Sequence, residues 1–169
     1  MKLKADFITN SSSSSFFVFW PHLIMESEDV SKYIPQDDYI STIFKDAKGQ
    51  TPFVVELTKA NIDRIATELD RGYIDGSIDY WDYEKQFCKE HDISPDELRK
   101  NQIWRQQMFQ ERDELQREVC VAKAIELIKA NEGSYAYFFE YGDEDGEHFA
   151  NLEHRNNWGG LPHIRISKH

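Results

Sequence analysis

Residues 94–131 read SPDELRKNQIWRQQMFQERDELQREVCVAKAIELIKAN, and the fold turns on how this stretch is read. Ser94, Pro95 and Glu97 give three helix-start signals together: a hydroxyl that can accept an orphan amide, a proline where the missing N–H is not needed, and a glutamate placed to close a capping box. Trp104, Met108, Leu115, Val119 and Ala122 then recur at helical intervals, which predicts one helix over about 94–131 with that side buried. Towards its end, Val119, Cys120, Val121, Ala124, Ile125, Leu127 and Ile128 are apolar on nearly every side, so the second half belongs in the core. The first half is polar apart from the stripe. It projects as an arm, pairs with a second copy as a homodimer, or packs on a neighbouring helix. Asn131, Glu132 and Gly133 supply the stop, glycine being suited to a left-handed cap.

The segments on either side are β-rich. Residues 2–8 and 16–20 read as strands, with Pro21 ending the second, and residues 52–57 as a brief strand. Residues 134–141 form the strongest strand pattern, followed by a glycine-bearing loop, a returning strand at 148–152 and a last strand at 163–167. Short helices fit 27–34 and 38–44. Clearer ones fit 58–71, with Ile62, Ile65, Ala66 and Leu69 on one side, and 80–91, with Trp81, Phe87 and Cys88. The expectation is an α+β fold: an antiparallel sheet from the N- and C-terminal strands, with packed helices that include the long one. At 169 residues the chain suits a single domain spanning 1–169.

Thirty-one acidic residues against twenty basic ones leave a net charge of -11. That argues against direct binding to a nucleic-acid backbone, which rests on Lys and Arg neutralising phosphates. An acidic surface is either simply solvated or meets a basic partner. Cys88 and Cys120 have neither metal-ligand spacing nor a disulfide framework around them, which fits a reducing cytoplasm. No apolar run reaches membrane-spanning length, and Asp6 with the serines that follow interrupts any secretory pattern, so no membrane association is expected.

The least usual segment is the serine run, Ser11 to Ser15, between β-forming residues. It reads as an ordered loop joining two strands. Asp6, Thr9, Asn10, Ser11 and Ser12 offer side-chain oxygens and backbone amides that cap one another or converge on an anion, although no Walker-type glycine or lysine accompanies them. At the other end His148, His154, His163 and His169 are weak metal-ligand candidates, and His154, His163 and Arg165 complete the candidate binding set. Residues 143–147 lack the distal glutamate of a calcium loop. No nucleophile elbow, catalytic cysteine context or dinucleotide fingerprint is present, so no catalytic residue is assigned and no cofactor is expected.

The string DFITNSSSSSF, residues 6–16, resembles the DF(V/I)TNSSSSSF signature that opens many bacterial and phage proteins whose remaining sequences differ widely. The resemblance covers about a tenth of the chain. It implies a shared N-terminal element and a bacterial or phage source, and it implies no activity. Together these readings lead to a non-enzymatic protein that binds another protein, with a host or defence factor as the class of partner, acting in the cytoplasm (the host's, if phage-encoded). The alternative is a metal-assisted hydrolase or nucleotide-binding enzyme with its site at the C-terminal histidines and the serine loop.

Overall fold

The structure is a computed structural model and describes residues 14–24, 53–72, 74–141 and 162–167. The aromatic and β-branched run after the serines forms strand β1, Ser14–Trp20. The last two serines are thus strand, not loop, which corrects the boundary expected for the serine loop. Strand β2 is Phe53–Glu56. A single 3-10 turn, Lys59–Asn61, leads into helix α1, Ile62–Leu69, and is followed by α2, Tyr80–Glu90, α3, Pro95–Lys100, and α4, Gln102–Ala130. Strands β3, Tyr135–Tyr141, and β4, His163–Ser167, complete the order.

The fold is α+β, with the four strands in one antiparallel sheet of order β2-β3-β1-β4. β1 therefore lies inside the sheet. Its residues 16–20 are all buried, so it reads as a continuous apolar run instead of an alternating one. It pairs antiparallel with β4 in the register Ser14↔Ser167, Phe16↔Arg165 and Val18↔His163. The Phe17 ring also stands 5.3 Å from that of Phe138 on β3. The strands expected at 2–8 and 148–152 and the helices expected at 27–34 and 38–44 lie outside the described residues.

Chain contacts divide into two compact units, Met1–Val54 with Ala136–His169, and Val55–Tyr135. In the second unit α1 buries Ile65, Ala66 and Leu69 as its apolar spacing predicts. The long helix is present but begins later than the sequence pattern suggests, because the chain leaves helical geometry at Asn101 (φ -102°, ψ 106°). Asn101 closes α3 with its backbone N–H and opens α4 with its side chain, whose Oδ1 accepts from the amides of Ile103 and Trp104 at 3.1 and 3.3 Å. One residue thus serves as the cap of two helices.

The buried side of α4 also differs from the predicted stripe. Met108, Cys120, Ala124, Leu127 and Ile128 are buried, whereas Leu115 and Ala122 are exposed. The reason is polar: Gln116 is drawn inward, where its Oε1 accepts from the Ile78 amide at 2.8 Å and its Nε2 donates to Ser77 Oγ at 3.3 Å. Satisfying the 74–78 turn outweighs burying Leu115. After α4, Gly133 takes φ 79°, the left-handed conformation that a helix stop requires.

The Ser94 capping box is complete. Glu97 N–H donates to Ser94 Oγ at 3.2 Å, and the Ser94 amide and hydroxyl donate to Glu97 Oε2 at 2.8 and 2.7 Å. The Ser94 amide first, then its hydroxyl, hold the Glu97 carboxyl below its ordinary value of 4.5. A lowered folded value means that this contribution is present above the unfolded value and lost as pH falls through the folded one. Ser94→Ala is expected to cost about 1 kcal/mol at neutral pH and to flatten the loss of stability on acidification. The Ser94 amide remains, so only the hydroxyl's share of the slope goes; urea titrations at neutral and acid pH check this, and an unchanged stability at neutral pH would reject the cap.

Candidate functional site

Of the residues singled out in the sequence, His163 and Arg165 lie on β4. His163 is half-buried opposite Val18, with its ring 6.3 Å from that of Phe16, and Arg165 is exposed opposite Phe16. The antiparallel register sets Ser14 against Ser167, four residues along β1 from Val18, which is about 13 Å of extended chain. The sheet therefore joins the serine strand to the last strand, but holds His163 away from the serine end. Asp6, Thr9, Asn10, Ser11, Ser12, His148, His154 and His169 lie outside the described residues. Among the described residues no group of three or more His, Cys, Asp or Glu could hold a metal ion, and no helix is long and apolar enough to cross a membrane.

A different site takes shape where α2, α3 and α4 meet. Tyr83, Phe87, Cys88, Leu98 and Met108 form a buried cluster, with Ile78, Tyr80, Ile93, Trp104 and Phe109 packed against it. The helix contact expected of Trp104 and Met108 is thus made within the chain. Across the cluster, buried Glu84 on α2 accepts from Arg99 on α3 at 3.1 Å, which ties the short helix to its neighbour. The pair is half in water through Arg99, so its main effect is to compensate a carboxylate that is only 4% exposed. The Tyr80 hydroxyl is pushed up by burial and then by the Glu84 carboxylate.

The break at Asn101 leaves an open groove of about 720 Å³ beside this cluster, walled by Ile93, Glu97, Lys100, Ile103 and Trp104. Ile103 is 76% exposed. Trp104 is half-buried and fixed from behind: its ring meets Phe87 edge-on at 6.3 Å and His91 at 5.2 Å, while Phe87 and His91 lie 4.2 Å apart. Ile93 is set on the opposite wall by the end of α2. There Asp92 adopts φ 52°, and the Ile93 amide donates back to the Cys88 carbonyl at 3.0 Å. This is a left-handed helix stop, which brings the following apolar residue back onto the last turn. Aspartate tolerates that conformation better than most residues.

The groove's lining carries one carboxylate, Glu97, and one ammonium, Lys100; nearby Glu90, Asp92 and Asp96 are exposed, Asp96 lying 3.8 Å from the Arg99 guanidinium. The capping box keeps Glu97 ionised to lower pH than a free glutamate. The groove thus offers an immobilised aromatic and two isoleucines between one carboxylate and one ammonium, which is the chemistry of a surface that accepts an apolar side chain.

Apolar spacing marks Trp104 but not its groove. Ile103 lay off the apolar stripe, and the signal that could have exposed it was the Asn at 101, a strong helix cap between good helix formers. Comparison with family models, curated proteins and solved structures finds no match for this chain.

Proposed function

We propose that this protein acts by binding another protein, and that the groove at the α3–α4 break receives a segment of that partner carrying an apolar side chain between basic residues. The observation that carries the reading is Ile103, 76% exposed beside a tryptophan held in place by Phe87 and His91. Rigid aromatic anchors in partly desolvated pockets are where interface energy concentrates. The net charge of -11, with Glu90 and Asp92 exposed near the groove, favours a basic partner over a second equally acidic copy. The N-terminal signature supports a bacterial or phage source, and with it a host or defence factor, met in the cytoplasm, as the partner class.

A photo-crosslinking residue at position 103, used in the native host with mapping of the linked peptide, tests this. The expected product is one partner segment rich in Lys or Arg. Its affinity for the purified protein should fall as salt rises, because exposed charges are screened over about 8 Å at physiological strength. It should also drop by about 30-fold or more on Trp104→Ala, the effect of losing a hot spot of about 2 kcal/mol. Crosslinks to an acidic segment, salt-insensitive binding, or an unchanged affinity in Ile103→Asp would overturn the reading.

A further inference from the structure

The outer side of α4 carries an ordered strip. Glu111, Leu115, Glu118, Ala122, Ile125 and Lys129 follow one another at alternating intervals of four and three, the seam spacing of a coiled coil, which sets them along one line of the helix. Leu115, Glu118, Ala122 and Lys129 are exposed, and Glu111 and Ile125 half-buried. Leu115 is 40% exposed, which few large apolar side chains are among the described residues. The residues that this half of α4 buries, Cys120, Ala124, Leu127 and Ile128, lie off the strip. A shallow hollow of about 500 Å³ runs beside Glu118, Ala122 and Ile125, and among the described residues α4 alone lines it.

The strip is complementary to itself when turned end for end. About a two-fold axis at the level of Cys120, Glu111 meets Lys129, Leu115 meets Ile125 and Glu118 meets Ala122, and symmetry makes each match twice. A parallel copy would set Glu111 on Glu111 and Lys129 on Lys129, so the charges select the antiparallel pairing. The acidity that disfavours a second copy at the groove is nearly absent here. Residues 111–129 hold five acidic and four basic side chains, a net charge of -1, against -11 for the whole chain. Ala122 is small enough to leave the facing Glu118 room to reach water. The weak point is that the two Glu118 carboxylates lie near the axis, about 6 Å apart along it at 1.5 Å per residue.

We infer that this strip binds a second copy of the chain, the two α4 helices running antiparallel with Leu115 of each against Ile125 of the other. The strip is separate from the groove at the helix break, so either surface can fail its test without the other. One helix strip falls below the roughly 1,200 Å² of a standard interface, and the dimer therefore forms at about 100 μM and not at nanomolar concentration. Cysteine crosslinking reads the register. Leu115→Cys and Ile125→Cys are made on separate chains and oxidised alone and mixed; the native Cys88 and Cys120 are buried. Ten residues of helix separate the two positions by about 15 Å, against the roughly 7 Å that a disulfide can span, and the proposed register holds the two copies of residue 115 equally far apart.

The expected result is a linked dimer in the mixture and little in either variant alone. Sedimentation of the parent chain shows a mass rising with concentration towards twice the 20.0 kDa of one copy. Two exposed changes then shift that equilibrium in opposite directions. Lys129→Glu weakens the dimer by about fivefold, because two symmetry-related ion pairs become repulsions, and Glu118→Gln tightens it by about as much by relieving the contact at the axis. A parent that stays monomeric through about 1 mM, Leu115→Cys chains that link to one another as readily as to Ile125→Cys chains, or a Lys129→Glu protein that associates like the parent would each overturn the assignment.

Discussion

Phe87→Ala is expected to lower the stability of the protein by about 3–5 kcal/mol, the range found when a fully buried phenylalanine is cut back in a core that cannot collapse around the gap. Phe87 has no exposed surface and sits at the centre of the cluster formed with Tyr83, Cys88, Leu98 and Met108. It also holds two rings from beneath, His91 at 4.2 Å and Trp104 at 6.3 Å. The loss is a large fraction of the roughly 5–15 kcal/mol that stabilises an ordinary domain. Urea denaturation measures it. Phe87→Leu, which keeps most of the volume, costs less than about 1.5 kcal/mol. A Phe87→Ala protein as stable as the parent would mean that the cluster is not packed as described.

The second large effect lies on the alkaline side. Cys120 is fully buried, and its thiol is pushed up from 9.0 to about 11, chiefly by burial and then by the Asp70 carboxylate. The folded state therefore holds its proton where the unfolded chain gives it up. Stability from this group is complete below about pH 9 and is lost as pH rises towards about 11, a loss on the order of 3 kcal/mol. Tyr80, Tyr83 and Cys88 are also shifted upward and titrate in the same region, so the contribution is read as a difference. Cys120→Ala, compared with the parent from pH 8 to 11, should show the shallower decline. Parallel declines would place the alkaline loss elsewhere.

What the sequence disclosed and what it hid follow from the kind of signal each feature leaves. The Ser94 box, the apolar side of α1 and the strands β2, β3 and β4 are local patterns of spacing and residue type, and each was legible. The meeting of β1 with β4 was legible too, because an aromatic run that needs partners had few strands to choose from. Register was not: which residue of β4 faces Val18 depends on twist and on turns that leave no periodicity.

The break at Asn101 was hidden because the residues around it are all good helix formers, so a cap that serves two helices looks like helix interior. The buried face of α4 was misjudged for a different reason. Counting apolar residues selects Leu115, but the unsatisfied amide of Ile78 selects Gln116, and hydrogen-bond demand from a distant turn is invisible in a hydrophobic pattern. Of the candidate site, Trp104 could be picked out and Ile103 could not. Neither the left-handed Asp92 nor the Glu84–Arg99 pair has a sequence signature that separates it from ordinary surface residues.

The position of β1 inside the sheet has a consequence for the order of events on the ribosome. Ser14 to Val18 take their β4 partners about 150 residues further along the chain, and their other neighbour, β3, is also made late. The stretch FFVFW therefore emerges ahead of the helices and must wait while more than 110 residues are added before either flank is covered. The intervening helices can meanwhile close on their own near neighbours, since their contacts span shorter loops. A nascent chain of this protein thus presents an adhesive strand for many seconds at ordinary elongation rates of about 5–20 residues per second. Its yield in a cell should depend on holdase chaperones more than its finished stability would suggest.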